Sequence, residues 1–182
     1  MVRSASLMKT CNDPFERLSN EHDASLAHAE RLGHAAEFIR TKGFSFEAFM
    51  QISRAVRFIE TEIGRHKQKE EKYLYPLIER HQKGVAEAMM SEHRELWKAY
   101  CGLLEYVEDV EEGRIHTSTV QELVASATLL VELIKGHVAR ENEIIFPLAK
   151  RMLTSDEYEE FRAQMMLELS PIPLAENDGL KL

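Results

Sequence analysis

Apolar residues recur along this chain at alternating steps of three and four, in four separate runs. The first is Phe15, Leu18, His22, Ser25, Ala29, Leu32, Ala36 and Ile39, and it stops at Gly43. The second is Phe49, Ile52, Val56, Ile59, Ile63, His66, Glu70, Tyr73 and Leu77, ending before Gly84. The third is Ala86, Met89, His93, Leu96, Tyr100, Leu103, Val107 and Val110, closed by Gly113. The fourth is Val120, Leu123, Ala127, Leu130, Ile134, His137, Glu141, Ile144 and Leu148. Stripes of this period belong to helices packed nearly parallel around a shared core.

Start signals agree with the stripes. Asp13-Pro14 followed by Glu16 combines an N-cap, a proline at the first helical position and an acidic first turn. Ser45 can cap the second helix, and Ser118 with Gln121 reads as a capping box for the fourth. Short connections make neighbours antiparallel, so the predicted fold class is all-α: an up-down-up-down four-helix bundle over residues 13–153. Thr154-Ser155-Asp156-Glu157 opens a short fifth helix running to about Leu169. That helix and the turn-rich tail SPIPLAENDGLKL make up residues 154–182, and residues 1–12 form an N-terminal arm.

The interruptions of the four stripes carry the chemistry. Their ionisable residues are His22, His66, Glu70, His93, His137 and Glu141. His22 lies 21 residues before Gly43 and His66 lies 23 after it, and the same two distances separate His93 and His137 from Arg114. At ~1.5 Å per residue each histidine stands about 30–35 Å from its turn, so each hairpin brings its own pair to one level. The hairpins also repeat at a shift of 71: Glu21-His22 on Glu92-His93, His66 on His137, Glu70 on Glu141, Pro76-Leu77 on Pro147-Leu148. Pseudo-two-fold symmetry implies a site built from equivalent halves.

Four imidazoles and two carboxylates in an apolar core are costly unless something positive neutralises them. A pair of metal ions does so. His and Glu at i and i+4 share a helix face and reach one centre. Mixed imidazole and carboxylate donors suit Fe, Mn or Zn rather than Ca or Mg. His28, His34, His81 and His116 fall off the stripes or in turns and read as solvated, while Glu71 beside Glu70 can swing in as a spare ligand.

Composition narrows the function classes. The 182 residues are 44% hydrophobic and 30% charged, ordinary for a globular chain with a sizeable core. A formal charge of −8 argues against nucleic acid or an anionic membrane as partner. The chain lacks a run of 18 apolar residues of the kind that spans a bilayer, and it shows no signal peptide, phosphate loop or nucleophile motif. Cys11 and Cys101 form no metal or disulfide framework, which suits a cytoplasmic protein.

On these residues the chain resembles the hemerythrin family in its bacterial HHE cation-binding form. Glu21-His22, His66-x-x-x-Glu70, Glu92-His93 and His137-x-x-x-Glu141 carry the likeness, with Tyr75-Pro76 and Phe146-Pro147 after each HxxxE unit. The resemblance implies two Fe ions joined by bridging carboxylates and an oxo or hydroxo group, open to O2, NO or peroxide. Respiratory members of the family carry a fifth histidine four residues after the third-helix histidine; Trp97 stands there in this sequence. The position vacated at Trp97 implies binding or reduction of a small ligand, for sensing or stress protection, in place of reversible carriage. Ser25, one helical step from His22, is placed to hydrogen-bond such a ligand. The alternative is a module that senses, stores or donates iron. The electron donor or signalling partner is not encoded in any recognisable motif.

Overall fold

The computed structural model describes residues 13–167, and within them the protein is all-α. The predicted N-terminal arm with Cys11, and the tail from residue 168 onward, lie outside the described residues. Four long helical rods form a helical bundle. The first rod is α1 (Pro14–Lys42). The second joins α2 (Phe46–Phe58), a π-helical turn (Ile59–Ile63), α3 (Gly64–Lys69), another π turn (Glu70–Leu74) and α4 (Tyr75–His81). The third rod is α5 (Val85–Glu111). The fourth joins α6 (Thr117–Arg140), a π turn (Glu141–Ile145) and α7 (Phe146–Met152). A short helix, α8 (Ser155–Leu167), follows.

Local chemistry sets the ends. Asp13 accepts from the Phe15 N–H at 2.9 Å, with Pro14 in the first turn. Gly43 closes α1 at φ 89°, a left-handed value that a side chain would strain. The fourth rod departs from expectation: its N-cap is His116 in extended backbone, without a side-chain cap bond, so Ser118 lies one residue inside the helix. The Thr154/Glu157 box does form, Glu157 Oε2 accepting from Thr154 N at 3.0 Å and Thr154 Oγ1 from Glu157 N at 3.3 Å.

Adjacent rods touch residue by residue. His28 stacks on Phe58 and His22 meets His66, linking first and second rods. Ser53 donates to Glu111 at one end of the second and third rods, and Tyr75 stacks on His93 at the other. His93 meets His137 between third and fourth, and His22 meets Asn142 between fourth and first.

The apolar core is divided. One cluster, including Leu32, Phe49, Ile52, Leu103, Leu123 and Leu130, fills the end nearest Gly43. A second, including Phe15, Leu74, Ile78, Met89 and Phe146, fills the opposite end, where α8 adds Phe161 and Met165. The stripe residues that carry charge lie between the two. By length and composition Thr117–Met152 is apolar enough to cross a membrane, but its stripe Leu123, Ala127, Leu130 and Ile134 is buried against the neighbouring rods.

The stripes shift where the sequence showed no reason for it. Tyr73, Ile144 and Leu148 were expected inside; Leu74 and Ile78 are buried in the second rod beside the expected Leu77, and Ile145 and Ala149 in the fourth, while Ile144 is 56% exposed. The cause is the π turns that begin at Glu70 and Glu141. In each, the last N–H reaches back five residues: Tyr75 to the Glu70 carbonyl, Phe146 to the Glu141 carbonyl. One extra residue per turn moves the apolar stripe on by one position. Pro76 and Pro147, which have no N–H to give, follow at once.

Helix α8 is held by a charge. The Thr154 backbone N–H and His81, which reaches Glu157 at 2.8 Å, hold the Glu157 carboxyl down at about 2, below its ordinary 4.5. A depressed carboxylate stabilises above the ordinary value and loses that contribution as pH falls toward about 2. Amide protection factors in α8, corrected for intrinsic exchange, should therefore fall between these two pH values. Glu157→Gln should show the low protection already at pH ~5.

Candidate metal centre

Six side chains converge in the layer between the two apolar clusters, and all are buried: His22, His66, Glu70, His93, His137 and Glu141. α1 supplies His22. α3 and the π turn after it supply His66 and Glu70, α5 supplies His93, and α6 with its π turn supplies His137 and Glu141. They form two clusters that share both carboxylates. His22 and His66 join Glu70 and Glu141 in one; His93 and His137 join them in the other, with donor atoms within 4.8 Å of one another in each.

Within a cluster the two imidazoles approach through Nε2, at 2.8 Å for His22 and His66 and 3.0 Å for His93 and His137. Two nitrogens each ~2.1 Å from a single ion, at right angles, stand about 3.0 Å apart. Glu70 spans the clusters, with Oε1 at 2.9 Å from His66 Nε2 and Oε2 at 3.5 Å from His93 Nε2. Glu141 Oε2 lies 3.0 Å from His22 Nε2 and 3.3 Å from His137 Nε2. Yet Glu70 Oε1, Glu70 Oε2 and Glu141 Oε2 are buried without one aligned hydrogen bond. Buried carboxylate oxygens crowded against imidazole nitrogens, yet without an aligned hydrogen bond among the described residues, fit a cation and are very costly without one.

The electrostatics point the same way. Burial alone would lower the His66 value, but the Glu70 charge and the hydrogen bond to Glu21 push it up to about 10. Burial raises the Glu141 carboxyl, and contacts with His137 and His22 outweigh it, holding the group well below the ordinary range. The layer draws positive charge to itself.

Each imidazole is aimed by a partner outside the layer. His66 Nδ1 faces Glu21 Oε2 at 2.8 Å, His137 Nδ1 faces Glu92 Oε2 at 3.1 Å, His93 Nδ1 faces Glu71 Oε1 at 3.0 Å, and His22 Nδ1 faces Asn142 Oδ1 at 3.0 Å. An acceptor at Nδ1 puts the proton there and turns the Nε2 lone pair inward, the usual arrangement behind metal-bound histidine.

A model of the hemerythrin HHE cation-binding domain matches residues 8–149. The chain belongs to the hemerythrin HHE family. No curated protein sequence matches it. For this hemerythrin-like chain the match and the clusters together mean a cation-binding domain with buried His/Glu sites able to hold metal ions.

The remaining sequence-derived residues fall in different places. Glu71 does not enter the layer; it orients His93 from outside, because adjacent residues on a helix point about 100° apart. His34, His81 and His116 are exposed as expected, His81 also pairing with Glu157, while His28 is half-buried and stacked on Phe58. Ser25 lines a cavity beside the imidazoles, its hydroxyl donating to the Glu21 carbonyl at 2.9 Å. Trp97, 37% exposed, lines the outer part of that cavity, packed on Gly64 and Tyr100.

Sequence reasoning missed Tyr75 as a polar residue of the layer. Its hydroxyl donates to Glu141 Oε1 at 2.6 Å and lies 3.4 Å from His93 Nε2. Burial first, then the Glu70 and Glu141 charges, raise its pKa far above the phenol range. The available signal was the one difference in the aromatic-proline pairs: Tyr75 in one half, Phe146 in the other.

Glu141→Ala should cut metal content per chain by at least about half, since both clusters share this carboxylate, while His81→Ala leaves it unchanged. Elemental analysis of the two purified variants is the check, and equal occupancy would refute the assignment.

Proposed function

We propose that this hemerythrin-like protein is a non-haem di-iron protein that binds or reduces O2, NO or peroxide, for sensing or stress protection. The observation that carries this reading is an apolar cavity set directly against all four imidazoles. It leaves about 30 Å³ for a water-sized body, with Ile59, Leu96, Leu130 and Ile134 among its walls. That volume holds one water or one diatomic molecule and no organic substrate. Iron held there supplies exchangeable electrons and a Lewis acid. The supporting framework is the proposed up-down-up-down four-helix topology with residues 13–153 as the functional unit, and the antiparallel pairings His28–Phe58, Ser53–Glu111 and His93–His137 favour it.

The chain's own groups have distinct tasks. The four Nε2 atoms and the two carboxylates hold the ions; Glu21, Glu71, Glu92 and Asn142 keep the imidazoles aimed. Tyr75 holds a proton on its hydroxyl beside Glu141, where it can be passed to a reduced ligand. Tyr100 lines the same cavity, and its buried hydroxyl has no hydrogen-bond partner among the described residues. Ser25 offers a second oxygen there. Trp97 and Lys67 line the cavity with Lys67 Nζ 5.9 Å from the indole centre, so access is controlled at that point. An exposed free Cys101 and the acidic charge support a cytoplasmic setting without nucleic acid.

A second reading is an iron-sensing, iron-storing or iron-donating module. It is favoured by the three outer carboxylates, Glu21, Glu71 and Glu92, which reach the solvent boundary and give ions a polar path out. Mn or Zn fits the same donors.

Stopped-flow mixing of the ferrous protein with O2, H2O2 and NO should give a spectral change with at least one of them, and silence with all three overturns the leading reading. Trp97→Ala should speed that association by widening access. Tyr75→Phe should keep the metal content and slow peroxide reduction about 10²-fold.

A further inference from the structure

The two halves of the centre are not equivalent: the shared carboxylates sit slightly nearer the His22–His66 pair, but the groups behind the imidazoles all favour the other side. Under the 71-residue repeat Glu21 corresponds to Glu92, and each accepts from the second-rod or fourth-rod histidine of its own half. Glu71, however, corresponds to Asn142. His93 therefore has a carboxylate behind it at 3.0 Å, and His22 has a neutral amide oxygen at the same distance. Ser19 donates weakly to that amide oxygen as well, at 3.4 Å, which draws its electron density away from His22.

Surface cations widen the gap. Glu21 is gripped by Lys69 at 2.6 Å and by Arg17 at 3.3 Å. Glu92 is paired with Arg140, and Glu71 with Lys67 at 3.7 Å. Around His22 and His66 one carboxylate faces two cations. Around His93 and His137 two carboxylates face two cations, and the Tyr75 hydroxyl adds an oxygen where the other half has Phe146 stacked on His22. A carboxylate at Nδ1 makes Nε2 the stronger donor, and losing such a partner typically weakens metal binding 10–100-fold.

We propose that the two metal positions are unequal by construction: the His93–His137 position binds a first-row divalent ion tightly, and the His22–His66 position is the exchangeable one. Asn142 is the positioning residue that sets the difference. The inference rests on the two-ion reading above and adds an order of loading and release. A protein short of iron holds its first ion at His93–His137, and the second position fills and empties as supply changes.

The test is metal release from the full chain loaded with Fe(II) without oxygen, mixed with excess ferrous chelator and followed by absorbance. Two phases of one ion each are expected, with rates about 10–100-fold apart. Asn142→Asp, which keeps the shape and adds the missing charge, should slow the fast phase and draw the two together. Asn142→Ala should speed the fast phase, and Lys69→Gln should slow it by unmasking Glu21. Glu71→Gln should speed the slow phase and leave the fast one in place. A single phase in the unaltered protein overturns the proposal, as does an Asn142 substitution that changes only the slow phase. Fewer than two ions per chain before mixing would instead overturn the two-ion reading itself.

Discussion

Everything in this structure depends on two carboxylates cut off from bulk solvent. Glu70 and Glu141 are fully buried, and three of their four oxygens have no aligned hydrogen bond. An unpaired buried carboxylate costs several kcal/mol even after relaxation, comparable to much of a domain's net stability. The chain does not answer this with lysine or arginine; the basic side chains stop at the outer ring around Glu21, Glu71 and Glu92. It answers with four imidazole nitrogens turned inward, a donor set able to hold the neutralising charge as a bound cation.

Much of the surrounding architecture serves that turn inward. Two of the π turns begin at the shared glutamates, Glu70 and Glu141, which lie in the layer while their neighbours, Glu71 and Asn142, stand behind the histidines of other rods. On such a rod His and Glu at i and i+4 share the inward face, and the residue after the glutamate points to one side, toward a neighbouring rod. The proline that follows places its missing N–H where the ladder is already interrupted.

The helices and the convergence of six donors were legible in the sequence because periodicity is a one-dimensional signal. On four stripes of apolar residues, ionisable exceptions are easy to see. The orienting ring was not: Glu21 and Glu92 stood out only as neighbours of the motif histidines and Glu71 only as a spare ligand, while Asn142 sits off the stripe with no signal of its own. Their role comes from side-chain reach between rods, which spacing does not report. The shift from Tyr73 to Leu74 and from Ile144 to Ile145 was hidden because both members of each pair are apolar enough to read as core. Tyr75 was hidden for a related reason: an aromatic at a core position says nothing of where its hydroxyl ends.

The division of the core into two apolar clusters has a mechanical meaning. Phe15, Ile78 and Phe161 at one end and Leu32, Phe49 and Leu103 at the other belong to separate hydrophobic bodies, with the polar layer between them. Cohesion across that layer falls to the six buried donors, so a bound cation would act as a keystone between the two apolar ends.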